Sequence, residues 1–159
     1  MTNLEDIKLA MQEFGAKKAA ELQEKVDTMT STEMYEEIDS FPLFPVTIKV
    51  KNMQERPIGF TVRTSEGRVA QLVENYDSSV VEDEPEYAPL YWKLRYSTNP
   101  AHAKNYVAVG GSAYMKDECC VDNSVIYAST IDDNTNAPSA SIDGWKIVGT
   151  VINGKYTIY

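Results

Sequence analysis

The prediction of a β-fold begins at residues 114–145, which read YMKDECCVDNSVIYASTIDDNTNAPSASIDGW. Within them, the strand-forming run Val125–Ala128 is followed by a long loop rich in Asp, Asn, Pro and Ser, and Trp145 then opens a second apolar run. So short a set of strands cannot bury a large core and depends on a few aromatic side chains. We therefore expect a very small β-module that is closed by Trp145.

These residues resemble the small chitin-binding modules of bacterial chitinases, whose relatives recur in phage tail and fibre proteins. The pattern of those modules is Tyr, Gly-Asp, an apolar pair, Asn-Gly, a Tyr-bearing strand, a loop with Pro, and a closing Trp. The matching positions here are Tyr114, Lys116-Asp117, Cys119-Cys120-Val121, Asp122-Asn123-Ser124, Ile126-Tyr127-Ala128, Pro138 and Trp145. Both turn glycines of the pattern are missing, and the resemblance covers residues 113–146, about a fifth of the chain.

In the resembling family, exposed aromatic residues of the second strand and the closing Trp form a platform for sugar rings. The resemblance therefore implicates Tyr127 and Trp145, with Tyr114 beside them, as glycan-binding residues. Tyr and Trp suit this role because their apolar rings stack on sugar faces while their polar tips stay hydrated. In so small a module Trp145 can also be a core residue, and for Trp145 we favour the core.

The charge of the chain limits its partners. Its 159 residues carry 15 basic and 24 acidic side chains, which gives a formal net charge of −9. Phosphate groups and anionic membranes are bound by basic surfaces, so we expect neither nucleic acid nor a membrane as a partner. No apolar run approaches the length of a membrane span, and the acidic start MTNLEDIKLAMQEF does not suit a signal peptide. We therefore expect no export by the usual signal.

A long N-terminal helix is predicted at residues 3–29, with Asn3 as its N-cap. One interpretation is an amphipathic helix that packs on its own domain. The other is a helix that docks or oligomerises the chain, for which we expect a homotrimer. The apolar residues behind both interpretations form two blocks spaced 3, 4, 3, namely Leu4, Ile7, Met11 and Phe14, then Ala19, Leu22, Val26 and Met29.

A second helix is predicted at residues 31–38, because Thr30 and Glu33 have the spacing of a capping box. The two prolines of Phe41–Pro45 then predict an extended connector. Residues 1–40 are accordingly assigned to a helical oligomerisation or docking segment.

Beyond this connector the chain is predicted to be all-β. The alternation of apolar and polar residues in Val46–Val50 predicts a half-buried strand. Asn153-Gly154, between two alternating runs, predicts a C-terminal hairpin, because both residues tolerate positive φ. Further strands are predicted at residues 58–62, 68–73 and 106–109.

Two parts of the β-region have a similar order of sequence elements. Residues 68–75, an acidic proline-containing loop and Trp92-Lys93-Leu94 parallel residues 126–133, the loop with Pro138, and Trp145-Lys146-Ile147. One interpretation is a degenerate tandem of one small module, and the other is that any β-rich chain repeats such elements. The predicted domains are a β-rich module at residues 41–110 and a chitin-binding-like module with the hairpin at residues 111–159.

Residues with catalytic potential are few. His102 is the only histidine, and no serine, phosphate-binding or dinucleotide motif is present. The adjacent Cys119 and Cys120 are expected to be reduced strand residues, one facing in and one facing out. We expect no enzymatic activity and no cofactor.

The nearest approach to a metal site is a partial calcium loop. A calcium loop of the helix–loop–helix type needs a glycine at its sixth position, where Ala137 stands here, and flanking helices. We therefore expect no metal. The residues in calcium-loop positions are Asp132, Asn134, Asn136 and Asp143.

The sequence thus predicts a mainly β fold with an N-terminal α-helix and small β-modules ending in a hairpin. The resemblance implies a non-enzymatic structural component of a phage virion, such as a head fibre, a capsid decoration protein or a tail fibre. Its expected partners are copies of itself, other virion proteins and a host-surface glycan, and its expected location is the virion. The alternative is a stand-alone carbohydrate-binding module, and a small enzyme is the third class considered.

Overall fold

A computed structural model describes residues 3–108 and 112–159 of the chain. Its helices are α1 (Asn3–Lys25), α2 (Ser31–Glu36) and α3 (Phe44–Val50). The strands are β1 (Thr61–Arg63), β2 (Val69–Leu72), β3 (Trp92–Arg95), β4 (Lys104–Asn105), β5 (Cys119–Asp122), β6 (Val125–Ser129), β7 (Trp145–Ile152) and β8 (Lys155–Ile158). They form one sheet in the order β1-β2-β3 and another in the order β4-β5-β6-β7-β8. The predicted mainly β fold with an N-terminal helix is confirmed.

The C-terminal end of α1 packs on the chain's own domain. Leu22 and Val26 are buried in a cluster with residues of α2 and β2. The side-chain amide of Gln23 exchanges hydrogen bonds with the backbone of Thr61, at 2.6 and 2.9 Å. This end of the helix is therefore part of the fold, as the first of the two interpretations predicted.

The capping box that was predicted to open α2 is present. The Thr30 hydroxyl accepts from the Glu33 N–H, and the Glu33 carboxylate accepts from the Thr30 N–H. The α-helix ends at Glu36, two residues earlier than predicted, and a 3₁₀ turn at Ile38–Ser40 follows it.

The strand predicted at Val46–Val50 is wrong, because this segment is α3. Pro45 lies in the first turn, where its fixed φ and missing N–H suit a helix. Phe44 and Thr47, one turn apart, are buried, whereas Val46 and Val50 are 56% and 74% exposed. The buried residues therefore have the spacing of a helix. The alternation of β-branched with other residues led to the wrong prediction of a strand. The strand predicted at residues 106–109 is also absent at residues 106–108, and Val109 lies outside the described residues.

The two sheets contain the same three-stranded unit. Strands β1, β2 and β3 form an antiparallel meander, and β5, β6 and β7 form another. In each unit a Trp opens the third strand opposite the last residue of the second, so that Leu72 faces Trp92 and Ser129 faces Trp145. Just beyond each Trp pair, the same backbone hydrogen bond joins the second and third strands. It runs from the Val73 N–H to the Tyr91 carbonyl at 2.7 Å and from the Thr130 N–H to the Gly144 carbonyl at 2.8 Å.

The correspondence extends to the residues before the first strand of each meander. Leu43 forms a parallel bridge with Arg63, and Asn105 of β4 pairs in parallel with Val121. Each bridge follows a 3₁₀ turn, at Ile38–Ser40 and at Pro100–His102. The two meanders thus share one hydrogen-bonding pattern, as the tandem interpretation expects, and in the second sheet this pattern begins near Pro100.

The two units share one core and are tied by a buried ion pair. Trp92 and Trp145 belong to the same apolar cluster. The guanidinium of Arg68 contacts the carboxylate of Glu86 at 3.1 Å and donates to the carbonyl of Asn105 in the second unit at 2.8 Å. Both charged side chains are buried, so loss of Arg68 would leave the Glu86 carboxylate as an uncompensated charge in the core, whereas Arg68 also contacts Glu66.

The predicted C-terminal hairpin is confirmed. Asn153 and Gly154 have φ values of 50° and 75° and connect β7 to β8. Strand β7 has eight residues and β3 has four, and the first unit has no counterpart of β8. The hairpin therefore extends the second unit beyond the repeated pattern.

Candidate functional site

Tyr114, the first of the three predicted glycan-binding residues, is buried. Its side chain is 1% exposed, and its ring stacks between Tyr96 and Tyr106 with centroids 3.7 and 5.5 Å away. Its hydroxyl accepts from the Val107 N–H at 3.2 Å, and burial raises its pKa well above the usual value. The exposed position that the resemblance implied for Tyr114 is therefore wrong, since both ring faces are covered.

Trp145 is a core residue, as the favoured interpretation predicted. It is 6% exposed and packs edge-on against Tyr106, Tyr114 and Tyr127, at centroid distances of 6.3, 5.4 and 6.4 Å. Its indole N–H donates to the carbonyl of Asn136 at 2.8 Å. Both the apolar faces and the polar edge are thus engaged within the chain.

Tyr127 is the one predicted residue of the three that presents part of its ring to solvent. It is half-buried in β6, and its neighbours across the sheet are Cys120 and Ile147. Ile147 is 53% exposed, and Val125 and Thr150 pair on the same face further along the strands. We call Val125, Tyr127, Ile147 and Thr150 the C-terminal face.

The turn before β6 keeps its geometry without the glycine of the family pattern. Asn123 and Ser124 connect β5 to β6 with φ values of 49° and 65°. Such positive values favour Gly and Asn, and Ser124 adopts one at a cost in strain. The register that places Tyr127 opposite Cys120 is nevertheless formed.

The first unit contains an aromatic pair equivalent to that of Tyr106 and Trp145. Phe44 follows the parallel bridge of Leu43, as Tyr106 follows Asn105, and its ring packs edge-on against Trp92 at 5.6 Å. Sequence reasoning missed this pair. The available signal was an aromatic residue 48 positions before Trp92 and 39 positions before Trp145, in segments that we had assigned to a connector and to a strand.

Both cysteines are buried free thiols, so the expectation that one faces out is wrong. Cys120 faces the core shared with Trp145, and Cys119 faces a second cluster formed with Ala103 and Ile126. Both faces of β5 are therefore covered. Burial raises the pKa of Cys119 to about 12 and raises that of Cys120 as well, so neither thiol is a ready nucleophile.

The remaining polar residues of interest have structural contacts. His102 lies 3.2 Å from the Ser97 hydroxyl through Nδ1 and stacks on Tyr35. Glu86, from the acidic loop between β2 and β3, is buried, and its carboxylate accepts a hydrogen bond from the Thr64 hydroxyl at 2.5 Å. These residues position loops around the shared core.

The partial calcium loop is organised by its own hydrogen bonds. Asp132 accepts from the Lys116 N–H at 3.0 Å, and the Asn134 amide donates to Ser129 Oγ and to the Gly144 carbonyl. Within residues 3–108 and 112–159, no group of three or more His, Cys, Asp or Glu side chains is placed to hold a metal ion.

No known protein family matches the chain, and no curated protein or solved structure is detectably similar to it. Among the described helices, none has both the length and the apolar character needed to span a membrane.

Proposed function

We propose that this chain is a non-enzymatic structural component of a phage virion, such as a head fibre, a capsid decoration protein or a tail fibre. The observation that carries the proposal is the tandem of β-units around one core. Each unit packs its Trp against the aromatic residue that follows its parallel bridge, within the core that the two sheets share. The aromatic positions that would form a sugar platform in the resembling modules thus serve mainly to build a scaffold.

The placement of the reactive side chains supports a non-catalytic role. The cysteine thiols are buried with raised pKa values, and His102 is held against Ser97 and Tyr35. The buried carboxylate of Glu86 is paired with Arg68. Each of these side chains is engaged in contacts within the fold. This is what we expect of a protein whose role is structural assembly.

Self-association through α1 is part of the proposal. A helix of 23 residues is about 34 Å long, at 1.5 Å per residue. Burial on the domain involves Leu22 near its C-terminal end and Val26 in the 3₁₀ turn that follows it, whereas Leu4 is 79% exposed. The apolar residues in the sequence from Leu4 to Phe14 are spaced 3-4-3, which is a spacing that a homotrimer of helices uses.

The direct test is the composition of the particle. Mass spectrometry of purified virions from the source phage should detect the chain at a stoichiometry that is a multiple of its oligomeric number. Antibodies against the purified chain should label one structure of the particle in electron micrographs. A chain that is absent from purified particles, or a gene without phage genes around it, would contradict the proposal.

The alternative, a carbohydrate-binding module, is favoured by the C-terminal face. Tyr127 and Ile147 lie side by side with partly open surfaces, and such a pair can contact the apolar face of a sugar ring. Retention of the wild-type chain on chitin or a host glycan, lost in a folded Tyr127→Ala variant, would support this function. The two functions are compatible if the particle attaches through this face.

A further inference from the structure

The chain covers three of the four outer edges of its two sheets with its own groups. An exposed edge offers free N–H and C=O groups to other chains, and proteins usually block it with charges, prolines, bulges or covering segments. The outer edges of β1, β3 and β4 are covered in this way. The covering bonds run from Thr61 N–H to Gln23 at 2.9 Å, from Leu94 N–H to Ser112 at 2.8 Å, and from Arg68 to Asn105 O at 2.8 Å.

The fourth edge, that of β8, is covered by none of the residues that the structure describes. Tyr159 donates its N–H to Val148 at 2.9 Å, so Thr157 and Lys155, which alternate with it, also turn their backbone groups toward β7. The backbone groups of Tyr156 and Ile158 therefore point outward, and none of the described residues bonds to them. The strand contains no proline or bulge, and its one charged residue is Lys155.

The side chains around this edge are mostly apolar or aromatic, as is usual for a strand in the middle of a sheet. Ile158 and Tyr159 lie on opposite faces of β8 and are 46% and 77% exposed. Residues 145–159 contain Lys146 and Lys155 but no acidic side chain, although the whole chain has a net charge of −9. Two copies can therefore meet here without bringing their acidic surfaces together.

We propose that β8 pairs antiparallel with β8 of a second copy, about a two-fold axis at Thr157. In this register Tyr156 lies opposite Ile158 of the other copy, and the outward groups of both residues hydrogen-bond to each other. Each exposed isoleucine then packs beside a tyrosine ring, which is a favourable cross-strand pair. Lys155 lies opposite Tyr159 rather than another Lys, so no like charges face one another. The contact is self-complementary and separate from α1.

A disulfide across the axis tests the proposal on the full-length chain. Thr157 would lie opposite its own copy as a non-hydrogen-bonded pair, with Cα atoms about 4.5 Å apart, a distance that a disulfide can bridge. The native thiols are buried with raised pKa values and should not react. Under mild oxidation, Thr157→Cys should give a covalent dimer on a non-reducing gel.

Lys155→Cys is the matched control. It adds a thiol to the same exposed strand, but its two copies would lie roughly 13 Å apart, four residues along the paired strands. Its cross-linking should be slower by about tenfold or more, since the distance exceeds disulfide geometry. Equal cross-linking of the two variants would overturn the proposed register.

Ile158→Pro added to Thr157→Cys gives the second control. Proline removes an outward N–H that β7 does not use, so the hairpin should persist while pairing across the edge is lost. No covalent dimer from Thr157→Cys, or an undiminished one in the double variant, would overturn the proposal. The readout depends neither on α1 nor on a phage particle, so its failure is distinct from that of the proposed function.

Discussion

Asp117 in the second unit holds the backbone position that Gly59 holds in the first. Each is the third residue of a turn, at residues 57–60 and 115–118, in which the last N–H donates to the first carbonyl at 3.0 Å. Their φ values are 75° and 90°, in the region where a Cβ is unfavourable. The second unit has thus kept the turn of the first while losing the residue type that fits it without strain.

Replacing Asp117 by Gly should therefore stabilise the chain. Removing the Cβ from a left-handed position should raise the free energy of unfolding by about 1 kcal/mol. Thermal unfolding followed by circular dichroism should show a higher midpoint. Gly59→Ala is the control and should lower it by a similar amount, because the nearest atom to the new Cβ is 3.8 Å away and conformation alone is changed. An unchanged midpoint in both variants would contradict the equivalence of the turns.

Truncating the two aromatic residues of the second unit should have different effects. Trp145→Ala should cost about 3–5 kcal/mol of stability, because it empties a buried site and leaves the Asn136 carbonyl without its donor. Tyr127→Ala should cost less, since that side chain is partly open. Urea unfolding measures both.

The same variants separate a structural role from sugar binding. We expect no retention of the wild-type chain on chitin, because Tyr114 and Trp145 are buried. Wild-type retention that is lost in folded Tyr127→Ala would contradict this expectation and would place the ligand on the C-terminal face.

Local patterns in the sequence were sufficient for several elements. The capping box of Thr30 and the turn of Asn153-Gly154 depend on a few adjacent residues whose backbone preferences are strong. The shared pattern of the two units was visible because a Trp after a long polar loop opens a strand in both of them. These features require no knowledge of distant contacts.

Other features depend on contacts between distant residues. Cys119 is buried because Ala103 and the hairpin cover the outer face of β5, which the local pattern does not indicate. Tyr114 is enclosed by Tyr96 and Tyr106, and the buried Glu86 in the 3₁₀ turn Pro85–Tyr87 is paired with Arg68, which directly precedes β2. The core position of Trp145 was therefore predicted, the burial of Tyr114 was not, and glycan binding by these residues stays a prediction.

Removing the first half of α1 should reduce assembly without unfolding the chain. A deletion of residues 1–14 leaves Leu22, Gln23 and Val26 in place, so the domain should keep its stability. The molar mass measured by light scattering should fall to that of a dimer linked through β8, because the contact made by the first half of α1 is lost. Addition of Ile158→Pro should then give a monomer.

A longer deletion is the contrasting case. Removal of residues 1–29 takes away Leu22 and Val26, each of which contributes about 1.5–3 kcal/mol by burial, and should unfold much of the chain. If the full-length chain is monomeric by light scattering, both self-contacts are contradicted.

Proline substitutions at two asparagines should distinguish the C-terminal turn from the loop before it. Asn153 has a φ of 50°, whereas proline is fixed near −65°, so Asn153→Pro should break the hairpin and cost about 3 kcal/mol or more. The loss includes the hydrogen bond from the Tyr156 hydroxyl to the Ala103 carbonyl at 2.7 Å. Asn136→Pro removes one N–H bond to Asn134 at 3.3 Å and keeps the carbonyl that Trp145 uses, so it should cost about 1 kcal/mol. Urea unfolding measures both changes, and equal midpoints would contradict the hairpin.

Because β8 pairing needs the hairpin, Asn153→Pro should also abolish the Thr157→Cys cross-link, whereas Asn136→Pro should leave it intact.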